Sequence, residues 1–136
     1  MSVTNVSDKN KNLLWAITAG RCEYRGCNTP LYYDILTKKL YNRSYIAHII
    51  ADREDGPRGD KNRSTKLQDQ IDNLMLLCDA HHRLIDHEGL KDHPEELLLQ
   101  MKKEHEDRIK QTSSLLTNLT SYVVFYRANI GEHSPP

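Results

Sequence analysis

Three cysteines and a handful of histidines carry most of the chemistry open to this 136-residue sequence. Cys22 and Cys27 form a C-x4-C pair, and Cys78 and His81 form a C-x2-H pair. Two short-spaced pairs, each on a tight turn, are what a tetrahedral zinc ion requires: four soft or borderline ligands brought together by two loops. A Cys3His set leaves no position open, so the expected zinc site is structural, and it uses every cysteine in the chain. The alternative is three unrelated thiols and a surface imidazole. His82 follows His81 directly. Neighbours on a helix point about 100° apart, so these two imidazoles cannot readily share one ion. Asp86 lies four residues after His82, on the same helical face. An imidazole and a carboxylate so placed make half a site for a divalent cation such as Mg²⁺, leaving positions for water and phosphate oxygens. His48 stands apart, in an apolar β-branched stretch where a lone histidine is ordinarily a core residue.

The elements that must position these groups can be read from hydrophobic period and punctuation. Residues 8–19 predict a helix with Leu13, Leu14 and Ile17 on one side, capped by Gly20. Residues 31–35 and 39–41 could pair as a hairpin. Residues 44–51 predict a strand that delivers His48. Residues 52–70 are polar, with Gly56-Pro57 and Gly59, and predict a long loop of the kind that is usually functional. After a short apolar run at 74–77, a helix should begin near Asp79 and pass through Asp86. Pro94 suits the first position of another helix, capped by Asp92 or His93 and running past Lys110. Its apolar face would carry Leu97, Leu98, Met101, His105 and Ile109; its polar face would carry Glu95, Lys102, Lys103, Glu106 and Lys110. His87, His93 and His133 read as surface residues. A strand expected at 122–126 has no evident partner. The expected organisation is a domain over 1–111, then a linker and the opening of a second domain over 112–136.

At this point the residues resemble a known family. The segments Ile46-Ala47-His48-Ile49-Ile50 and Asp72-Asn73-Leu74, with the run from Leu77 to Asp86 containing His81-His82, look like the HNH (ββα-metal) endonucleases. The resemblance implies an α+β fold with a ββα-metal core, a structural zinc site and flanking helices. It implies that His48 is the general base, that Asn73 positions it, and that His82 binds the catalytic metal. Gly56-Pro57-Arg58-Gly59 and Lys102-Lys103-Glu104-His105-Glu106 extend the likeness to the nuclease domain of HNH–SAVED effectors of CBASS, the cyclic-oligonucleotide anti-phage systems, over residues 20–108. That implies double-stranded DNA as substrate, a cyclic oligonucleotide bound by a further C-terminal domain, and a homo-oligomer when active. Many HNH enzymes place a metal ligand just before the base, where this chain has Ala47. Helical spacing therefore nominates Asp86, with Asp52 as the fallback. Arg58 and Arg83 are candidate phosphate contacts. A restriction- or homing-type nuclease, or a zinc-stapled nucleic-acid-binding module without catalysis, are the competing readings.

Composition bounds these readings. Hydrophobic residues make up 38%, with one Phe and one Trp, so the core is lean and a metal staple is in keeping. Nineteen basic residues balance nineteen acidic ones, which argues against strong nonspecific DNA binding by one copy. Assembly of several copies would raise affinity without new contacts. Between positions 53 and 66, five basic residues face three acidic ones, enough for a local phosphate patch. The polar N-terminus lacks an apolar signal core and no stretch could span a bilayer, so a cytoplasmic protein is expected.

Overall fold

The computed structural model describes residues 5–114. Helix α1 (Asp8–Thr18) begins where the Ser7 hydroxyl accepts the Asn10 N–H, with Asp8 favourably placed in the first turn. It ends one residue earlier than its glycine suggests, because Ala19 takes the left-handed position itself (φ 56°). Gly20 follows at φ 64°, where a Cβ would lie 2.6 Å from the Trp15 ring. Leu14 is fully buried, whereas Leu13 is 43% exposed, so the buried stripe is narrower than expected.

Strand β1 (Tyr45–His48) and strand β2 (Leu74–Leu77) pair antiparallel, with Tyr45 opposite Leu77 and His48 opposite Leu74. The molecule is thus a small α+β fold with a two-stranded sheet and helices. β1 is half the length the sequence predicts. Beyond His48 the Ile49 N–H still reaches the Asn73 carbonyl, but the Ile50 N–H is taken by the Asn73 side chain, which ends the ladder. The expected hairpin at 31–41 reduces to one bridge, Tyr33 to Leu40. The Asp34 carboxylate closes its turn by accepting the Leu36 and Thr37 N–H groups.

All four residues of β2 are buried. With Leu14, Leu31, Ile49, Ile85, Leu98 and Met101 they form the core, each buried Leu contributing about 1.5–3 kcal/mol. The long loop holds a short helix α2 (Ser64–Leu67), and Arg63 beside it makes a bidentate pair with Glu95. Helix α3 (Asp79–Arg83) follows β2 after a single residue, Cys78, and passes into a π-helical turn, Leu84–Glu88. Helix α4 (Glu95–Ser113) packs on α1 and continues two residues past the boundary expected at 111.

Three expectations are corrected around α4. Pro94 occupies the capping position itself, without a side-chain cap, and Glu95 and Glu96 favour the helix dipole in its place. His93 is buried, not on the surface. Its Nδ1–H donates to the Gly89 carbonyl at 2.7 Å, and its Nε2 accepts the Tyr24 hydroxyl at 2.8 Å. Lys102, placed on the polar face, is 5% exposed and survives there by pairing with Glu106 at 2.6 Å. His105 is buried as its position in the stripe suggests. The expected strand at 122–126 and His133 lie outside the described residues. Among those described, no helix is long and apolar enough to cross a membrane.

Candidate metal centre and cleft

Cys22, Cys27, Cys78 and His81 converge, with their ligand atoms all within 4.8 Å of one another. The first pair brackets a turn in which the Cys27 N–H meets the Tyr24 carbonyl and Gly26 takes φ 83°. The second pair is set by α3, where Cys78 is the capping residue and His81 sits one turn on. The Cys22 and Cys78 sulfurs lie 3.6 and 3.3 Å from His81 Nδ1. Zinc bonds of about 2.3 Å to sulfur and 2.0 Å to nitrogen separate such ligands by roughly 3.5 Å in a tetrahedron. The donor set and its geometry could therefore hold a metal ion such as zinc. Burial pushes the Cys22 thiol up, a cost that a bound cation reverses by stabilising thiolate. Burial holds His81 below the usual imidazole range, in the neutral form that ligates. Tyr24 stacks flat on His81, centroids 4.1 Å apart, and its hydroxyl ties this face to His93.

One residue on, His82 turns to a different surface. A cleft of about 620 Å³ is lined by Asn5, Ala47, His48, Asp52, Arg53, His82 and Asp86, among others. The fold thus brings His48, His82 and Asp86 to one cavity, as well as the alternative Asp52. His82 Nε2 lies 3.4 Å from Asp86 Oδ2, although Asp86 sits in the π-helical turn. Ala47 is buried and offers no ligand. Tyr45, on the neighbouring strand and partly exposed, stacks on His82 with planes 8° apart. Among the described residues, His82 and Asp86 fall in no cluster of three or more potential ligands.

His48 Nε2 lies 2.8 Å from the Gln68 carbonyl. A carbonyl only accepts, so Nε2 must carry the proton, which leaves Nδ1 as the basic nitrogen of the neutral ring. The Asn73 amide makes no hydrogen bond to His48 itself. It accepts the Ile50 N–H and donates to the Ile50 and Leu67 carbonyls, bracing the chain just after His48 and just before Gln68. The far side of that brace is the start of α1. Asn5 donates to the Gln68 side chain, and Ser7 and Asn10 donate to Asp69.

The two arginines part company. Arg83 is exposed and only loosely paired with Asp79. Arg58, expected to meet phosphate, spends four of its five N–H donors inside the protein, on the Ile49, Ile85 and His93 carbonyls and on Asp86. That expectation is corrected by burial, since the Arg58 side chain is 8% exposed.

Sequence reasoning missed the Gln68 carbonyl, the two stacking tyrosines and the inward turn of Arg58. Only the glycines flanking Arg58 hinted at a constrained backbone there. No protein-family model matches this sequence. A search of curated proteins finds no match either.

Proposed function

We propose that the chain is a metal-dependent endonuclease domain of the HNH (ββα-metal) class that hydrolyses phosphodiester bonds in double-stranded DNA. The observation that carries this reading is His48, held through Nε2 by a backbone carbonyl and sharing a cleft with the His82–Asp86 pair. The order β1, β2, α3 and the residues that resemble the family support it. The same resemblance makes the nuclease arm of a cyclic-oligonucleotide-activated anti-phage effector the favoured setting, with activity in an oligomer.

The chemistry follows from charge. A phosphodiester is anionic and repels hydroxide, so the attacking water must lose its proton to a positioned base. His48 Nδ1 takes that proton, and the Gln68 carbonyl stabilises the imidazolium that forms. His82 Nε2 and Asp86 Oδ2, 3.4 Å apart, would hold the divalent ion from one side of the cleft. Mg²⁺ bound there would supply charge stabilisation to the phosphate oxygens. Arg83, exposed beside the helix, can add a phosphate contact.

The test is plasmid cleavage in Mg²⁺, comparing the parent with His48→Ala. Loss of the base should slow cleavage about 10²–10⁴-fold. Undiminished cleavage by purified His48→Ala sinks the assignment. A parent that never cuts, even when artificially dimerised, favours a zinc-stapled binding module, the reading for which Ala47 is the best argument.

A further inference from the structure

Arg58 lies buried behind the cleft, against its Asp86 wall. Its backbone is left-handed (φ 56°), a conformation that L-residues other than glycine seldom adopt. The glycines on either side of the turn leave no room for alternatives. A Cβ at Gly56 would lie 2.6 Å from Ala51 Cβ, and one at Gly59 would lie 2.3 Å from the Glu54 carbonyl. The loop thus curls on itself and drives the guanidinium inward. There Nε donates to the Ile49 carbonyl at 2.6 Å, next to His48 in the chain. Nη1 donates to the Ile85 carbonyl at 2.8 Å, next to Asp86. Nη2 donates to Asp86 Oδ1 at 2.7 Å.

We infer that Arg58 is a positioning residue for the metal pair: it straps the β1 end to the π-helical turn and holds one Asp86 oxygen, so that the other is presented to the ion beside His82. This rests on the nuclease reading above. A planar fork with donors in three directions does this, whereas a lysine ammonium cannot reach all three acceptors at once. Arg58 works on the Asp86 carboxylate as the partners of ligating carboxylates do elsewhere, fixing its orientation. It touches no substrate.

The experiment compares the parent with Arg58→Lys, which keeps the charge. Two readouts are taken: the Mn²⁺ concentration that broadens the His82 ring signals in NMR, and the separate half-saturation of plasmid cleavage by Mg²⁺ and by DNA. In Arg58→Lys both metal concentrations should rise about tenfold or more, with the DNA half-saturation unchanged. A rise in the DNA value with metal response unchanged makes Arg58 a phosphate contact and overturns the proposal, as does no change at all. A parent whose His82 signals ignore Mn²⁺ overturns the metal site itself, and this inference with it. Should Arg58→Lys fail to fold, the parent alone suffices. Mg²⁺ should shift the Arg58 Nε–H signal together with the His82 ring, and a His82 shift without it overturns the link.

Discussion

His81 and His82 are adjacent on one five-residue helix, yet they serve two regions built on opposite plans. On the His81 side the ligands close. Three sulfurs and one imidazole converge, Tyr24 covers the ring, and its hydroxyl is used by His93. On the His82 side the ligands stop at two. The neighbouring carboxylate is shared with Arg58, and the cleft stays open beside His48. Both histidines carry a stacked tyrosine, but Tyr24 is tied inward while Tyr45 is 44% exposed. A saturated set of ligands can only hold the chain together, whereas an incomplete one leaves room for water and phosphate. On the nuclease reading proposed above, the first would serve folding and the second chemistry.

Removing a ligand from each side should break that division if it is false. In Cys22→Ser the chain should lose its zinc and its fold together. Structural zinc in small domains contributes an apparent free energy of about 10–16 kcal/mol, as much as the whole stability of an ordinary domain. His82→Ala should keep zinc content and circular dichroism and lose only Mg²⁺-dependent cleavage. Metal analysis and melting curves on the two variants decide it; a folded, zinc-free Cys22→Ser contradicts the closed-site reading.

The two tyrosines allow a finer cut. Tyr24→Phe leaves the buried His93 Nε2 without its donor and should cost about 1–3 kcal/mol in chemical denaturation. Tyr45→Phe keeps the stack on His82 and should change stability by less than about 0.5 kcal/mol. Equal losses would mean that the cleft side is as structural as the knot.

The smallest effect separates proton-linked stability of the helix pack from that of the metal side. Burial, with Arg108 adding, holds His105 below its ordinary 6.5, even though its bond to the Thr18 carbonyl opposes the shift. The folded state then binds fewer protons than the unfolded one, so this contribution is present above pH 6.5 and is lost as pH falls through the folded value. His105→Gln should melt with a flatter dependence than the parent just below pH 6.5. Parallel curves would assign the acid sensitivity to the cysteine cluster.

What could be read in advance divides along the same line. The Cys22, Cys27, Cys78 and His81 set, and the separation of His81 from His82, were legible because they depend on residue type and on the pitch of one helix. The i,i+4 relation of His82 and Asp86 was legible for the same reason, and the π-helical turn did not disturb it. The secondary structure was legible where the period was strong, at α1 and α4, and weakest at residues 31–41 and at the end of β1, where side chains rather than ladder bonds close the backbone.

The amino-acid order alone determined which groups could ligate and in what spacing, because metal chemistry resides in side chains. Tertiary structure alone decided where donors and acceptors find their partners. The carbonyl of Gln68 is chemically the same as every other carbonyl, so nothing in the sequence marks it as the one that holds His48. Arg58, His93 and Lys102 all read as surface residues, and each is buried because partners distant in the chain satisfy it. Burial of a polar group costs free energy unless a partner is present. That presence is a property of the folded chain.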